Sequence, residues 1–110
     1  MTDDAERKRI ELDGKIQEYA KAEADRTYLH EFRKSKKAIL MKQAEQSGHH
    51  SAVSQEREAY AHPEYIALLA GLRDATEIAV RNKWQLEALR MQIEVWRTRQ
   101  ATARAEMNIR

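Results

Sequence analysis

The chain has 110 residues, 35% of them charged and 6% aromatic, with a mean hydropathy of −0.85; that leaves room for one domain at most and too little apolar material for a deep globular core. Cysteine is absent, which excludes a disulfide framework and a thiolate metal site. The formal net charge of +2 is unevenly spread: residues 1–25 hold eight acids and five bases, whereas residues 26–42 hold Arg26, Arg33, Lys34, Lys36, Lys37 and Lys42 with Glu31 as their single acid.

One proline and three glycines punctuate a sequence otherwise rich in Ala, Leu, Ile, Gln and Met, so long helices are expected. Asp3, with Glu6 three residues later, forms a capping-box variant that starts the first helix near residue 4. Its apolar positions are Leu12, Ile16, Tyr19, Ala22, Leu29, Phe32 and Ile39, with Tyr28 and Leu40 beside them. Gly14 weakens the first turns by about 1 kcal/mol relative to Ala. The segment Ser47-Gly48-His49-His50-Ser51 ends this helix at about residue 46, with Gly48 as the left-handed C′ residue. Ser51 or Ser54 then caps a short helix through about Ala61. Pro63 restarts the chain as the first residue of a third helix, 63–108, where its missing N–H costs nothing.

That third helix shows the clearest periodicity. Tyr65, Leu68, Leu72, Ala75, Ala79, Asn82, Leu86, Leu89, Ile93, Trp96, Gln100, Ala103 and Met107 recur by threes and fours, with Asn82 and Gln100 as the polar interruptions; this is the spacing of a coiled-coil seam. Asn82 reads as a register-setting polar residue. At ~1.5 Å per residue both long helices come out near 65 to 70 Å. The expected fold is therefore all-α, a single helical domain formed by a long antiparallel hairpin with a loop and short connecting helix over 47–62. Tyr28, Leu40, Leu69, Ile78, Val80, Trp84, Met91 and Val95 fall off the seam, and covering them calls for assembly into an oligomeric bundle, a homo-oligomer. The acidic opening residues exclude a secretory leader and no apolar run reaches the ~20 residues of a membrane span, so a cytoplasmic protein with no membrane partner is expected.

Two basic clusters stand out. In "FRKSKKAILMK", Arg33, Lys34, Lys36, Lys37 and Lys42 wrap about half the helix circumference, more than one helix can pair. They suit a phosphate backbone, with Phe32, Tyr28 or His30 available to stack on unpaired bases; the alternative is a solvated face that serves solubility. In the third helix Lys83, Arg90, Arg97 and Arg104 recur every seven residues, joined by Arg99 and Arg110. Here the alternative is pairing across the hairpin with Glu11, Asp13, Glu18 and Glu23. Leu72, Leu86, Leu89, Ile93 and Trp96 form the seam, where Trp96 packs. Trp84 is either a base-stacking platform or an anchor between subunits. His49, His50 and His62 lack metal-ligand spacing and read as loop residues. No nucleotide-binding, nucleophile-elbow or zinc-protease motif occurs, so neither a catalytic residue, a cofactor nor a metal is expected.

The order of a lysine-rich helix, a Ser-Gly turn ("SKKAILMKQAEQSG") and a downstream helix ending in Arg-bearing turns resembles the small recombination mediator proteins of tailed phages, the UvsY type, over residues 28–97. The resemblance implies a helical oligomer that binds single-stranded DNA and helps a recombinase load where a single-strand-binding protein already sits. It makes Lys34, Lys36, Lys37 and Lys42 the DNA contacts. The resulting expectation is a non-enzymatic phage-type accessory protein in recombination or replication. The alternative is a helical protein-binding module or inhibitor docking on a host or phage nucleic-acid enzyme, and a third reading is a purely structural spacer.

Overall fold

The computed structural model describes residues 3–109. These form three helices, α1 (Asp4–Gln46), α2 (Ala52–Ala61) and α3 (Pro63–Ile109), and no strand occurs among the described residues. Arg110, the last cation of the C-terminal cluster, lies outside them.

Each boundary has a local cause. At the start of α1 the Asp3 carboxylate accepts the Glu6 backbone N–H at 2.7 Å, satisfying a donor that the first turn leaves open. At its end Gly48 takes φ +105. The His49 N–H donates to the Ala44 carbonyl at 3.0 Å and the Gly48 N–H to the Glu45 carbonyl at 3.2 Å, the paired bonds of a Schellman cap. Ser51 caps α2, its Oγ accepting the Ser54 N–H at 3.1 Å. His62 precedes a proline and is therefore pushed to extended backbone, φ −66 and ψ 133, which stops α2. The same residue opens α3: its carbonyl accepts from Tyr65 and Ile66, and its Nδ1 accepts the Glu64 N–H at 3.0 Å. His62 is thus a cap for two helices, whereas its sequence context suggested only a loop residue.

The helices gather into two compact units, one of residues 1–20 and 80–110, the other of residues 21–79. In the first unit the covered positions include Lys8, Leu12, Lys15 and Tyr19 of α1, and Asn82, Leu86, Leu89, Ile93 and Trp96 of α3. Lys8 Nζ sits 5.4 Å above the Trp96 ring, and Lys15 Nζ donates to Gln85 Oε1 at 3.4 Å. Beyond Trp96 every residue from 97 to 109 is exposed. The seam expected to continue through Gln100, Ala103 and Met107 therefore stops at Trp96, because the first turn of α1, with Ala5 and Lys8, already lies against Ile93, Trp96 and Arg97.

In the second unit the core is Leu40, Ala59 and Tyr65, with Met41 packed against it. Tyr60 meets Tyr65 edge to face, centroids 5.3 Å apart. The covered positions of α1 here include Ala22, Arg26, Leu29, Arg33, Lys36 and Leu40, separated by alternating fours and threes, with Ala44 buried one turn further on. Leu72 and its neighbours Leu68 and Ala75 are half-buried on α3. This corrects the expected α1 stripe: Ile16, Phe32 and Ile39 are exposed, and Leu40, placed beside the stripe, is its most buried side chain. Basic residues occupy several inward positions in place of those apolar ones. A Lys or Arg can do so because its methylene stem covers apolar surface while its charged head reaches water.

Candidate nucleic-acid interface

The lysine-rich segment of α1 divides into two sets with different surroundings. Lys36 Nζ lies 2.8 Å from Glu64 of α3, and Lys37 Nζ lies 3.7 Å from Glu56 of α2. Lys37 also stands 4.7 Å above the Tyr60 ring. Its interaction with the Tyr60 hydroxyl raises the Lys37 pKa above its ordinary value, and the Glu56 carboxylate adds to that. Conversely, the hydrogen bond and charge of Lys36 hold the Glu64 carboxyl below the usual range. These two lysines tie α1 to its neighbours, and their charges are largely answered within the chain.

The second set has at most one weak partner on its own helix. Among the described residues Arg33 and Lys42 take part in no ion pair, and Lys34 reaches only Glu31, one turn back, at 3.6 Å between two exposed side chains. Such a pair contributes roughly 0 to 1 kcal/mol and gives way readily to a phosphate. Arg33, Lys34 and Lys37 line a concavity of about 260 Å³ together with Tyr60 and Tyr65.

On the outward face of α1, Tyr28 is 66% exposed and stacks on Phe32, with centroids 6.0 Å apart and planes 6° from parallel. Lys21, seven residues before Tyr28, and Lys42, ten after Phe32, fall on the same side of the helix within an arc of roughly 80°. Lys21 also takes part in no ion pair among the described residues. Its place in this patch is legible in the sequence as the heptad spacing to Tyr28, outside the dense basic cluster. His30 is half-buried, off this face.

In the other unit, two of the α3 arginines pair within their own helix. Arg90 pairs with Glu87 and Arg97 with Glu94, both at 3.3 Å and one turn back on α3; Glu18, offered above as a partner across the hairpin, pairs with Lys15 at 3.2 Å. Arg99 and Arg104 take part in no ion pair among the described residues. Trp96 is half-buried under Lys8, and with Arg97, Gln100 and Arg104 it also lines an open concavity of about 280 Å³. Trp84 is 63% exposed, with Lys83 Nζ 5.6 Å above its ring. Leu86, Leu89 and Ile93 are buried.

The histidines of the turn serve local structure. His49 Nδ1 lies 2.7 Å from Ser54 Oγ, and the His49 carbonyl accepts from the Gln55 side chain at 3.0 Å. No group of three or more His, Cys, Asp or Glu gathers for a metal among the described residues, and none of their helices is long and apolar enough to cross a membrane. No protein-family model matches the sequence, and comparison with curated proteins and with solved structures finds no match.

Proposed function

We propose that this chain is a non-enzymatic accessory protein that binds single-stranded DNA along α1 and the arginine-bearing end of α3 and acts as an oligomer in recombination or replication. A recombinase or a single-strand-binding protein is the protein partner of this reading. The observation that carries it is the exposed Tyr28–Phe32 stack on the same face as Lys21 and Lys42. Exposed parallel rings offer a platform to any base, and cations without carboxylates offer countercharge to the phosphates beside it. The antiparallel hairpin belongs to the same proposal. Its support is that Lys8 meets Trp96 while Lys15, later in α1, meets Gln85, earlier in α3.

The test is fluorescence anisotropy with labelled oligo-dT between about 50 and 200 mM salt. Contacts of Lys21, Lys42 and one further cation with the phosphates of a single strand give a log–log slope near −2, a loss of roughly twentyfold over that range. Lys21→Gln with Lys42→Gln flattens the slope by about 1.4. Tyr28→Ala or Phe32→Ala weakens binding about tenfold with the slope unchanged. Absence of binding at the low-salt end, or binding insensitive to salt, refutes the nucleic-acid reading.

A further inference from the structure

Within the unit that holds residues 80–110, α3 has a second apolar stripe. Val80, Trp84, Met91 and Val95 are 47%, 63%, 69% and 50% exposed. With 3.6 residues per turn they fall within an arc of roughly 60°, on the side of the helix away from the buried Leu86, Leu89 and Ile93. The stripe is therefore separate from the seam and not its rim.

Its spacing reads the same in both directions: the gaps from Val80 to Trp84, Met91 and Val95 are four, seven and four residues. A helix running the opposite way brings Val80 against Val95 and Trp84 against Met91, about a two-fold axis between Glu87 and Ala88. In an antiparallel two-fold contact between identical chains each pair occurs twice, and this spacing makes every such pair apolar against apolar.

The charges along one edge repeat the symmetry. Lys83, Glu87, Arg90 and Glu94 alternate in sign with gaps of four, three and four. Reversal sets Lys83 opposite Glu94 and Glu87 opposite Arg90, four attractive pairs in all. In the register that aligns the apolar residues, Lys83 and the facing Glu94 are offset by two residues, about 3 Å. The offset has the favourable sense, because helical side chains lean toward their own N-terminus and these two lean toward each other. The present partners are no obstacle. Glu87 and Glu94 hold Arg90 and Arg97 through exposed side chains at 3.3 Å, and a carboxylate accepts from two cations at once.

We infer that a second copy of this chain docks antiparallel on Val80, Trp84, Met91 and Val95, locked in register by the Lys83–Glu94 and Glu87–Arg90 pairs. The inference rests on the oligomeric part of the proposed function and is independent of its nucleic-acid part.

Sedimentation equilibrium of the full chain, with no nucleic acid present, tests it. The wild type is expected to form dimers. Trp84→Glu and Met91→Glu should each shift it to monomer with unchanged helical circular dichroism, since both side chains are exposed in the single chain. Lys83→Glu sets like charges face to face at two symmetric places and should weaken the dimer about tenfold at low salt. Adding Glu94→Lys reverses both partners and should restore it. This charge-swapped pair alters only surface residues and keeps the test decisive if an apolar-to-Glu variant loses helix. A monomeric wild type, or a dimer untouched by Trp84→Glu and Met91→Glu, overturns the inference; failure of the swap to rescue overturns the antiparallel register. Loss of oligo-dT binding with the dimer intact counts only against the nucleic-acid reading.

Discussion

Replacing Leu40 by Ala removes the side chain around which the 21–79 unit is packed. Leu40 is 2% exposed and touches a core completed by Ala59 and Tyr65. Fully buried Leu→Ala changes cost about 2 to 5 kcal/mol, the spread reflecting how far the surroundings collapse into the space. Here a concavity of about 170 Å³ lined by Leu40, Ala44, His49 and His62 already lies beside the site, so neighbours have room to shift and the lower part of the range, about 2 to 3 kcal/mol, is expected. Ile39 is the control. It is 47% exposed, so truncation loses only about half of its burial, roughly 1 kcal/mol. The better helix propensity of Ala returns ~0.4 kcal/mol of that. Urea unfolding followed by circular dichroism should move the Leu40→Ala midpoint down by roughly 1 to 2 M and leave Ile39→Ala close to wild type. Equal destabilisation by the two would refute the inward register assigned to α1.

Two further outcomes follow from the caps and the clamp. Gly48→Ala meets no atom within 4 Å of the added Cβ, so its cost is the backbone strain at φ +105 alone: about 1 kcal/mol, or roughly 4 °C in a thermal melt. An unchanged melting temperature would show that the turn relaxes freely. For the clamp, Glu64 is held below its ordinary pKa by Lys36, so its stabilisation is fully present above the unfolded carboxylate value near ~4.3 and is lost as pH falls through the lowered folded value. Lys37 is raised, so its contribution is present below ~10.4 and is lost as pH rises through the raised value. A pH series of melts should show the acid-side loss shrink in Lys36→Met and the alkaline-side loss shrink in Lys37→Met; profiles parallel to wild type would contradict the pairings.

Local signals in the sequence determined the three helices and their ends, because each rests on residues within one turn of the boundary: Asp3 with Glu6, Gly48 after Gln46, Ser51, and Pro63 after His62. The α3 stripe from Tyr65 to Trp96 was equally legible, since its inward residues are nearly all apolar and announce their face. The inward face of α1 was not. There Lys8, Lys15, Arg26, Arg33 and Lys36 alternate with Leu, Tyr and Ala; a long basic side chain carries the same letter whether its stem is covered or solvated, so apolar counting favoured Ile16, Phe32 and Ile39 instead. Tertiary structure alone decided which cations are answered. Lys36 and Lys37 meet acids of other helices far along the chain, whereas Lys21, Arg33, Lys42, Arg99 and Arg104 do not. That difference depends on which helix faces lie together in space, which spacing within a single helix does not encode.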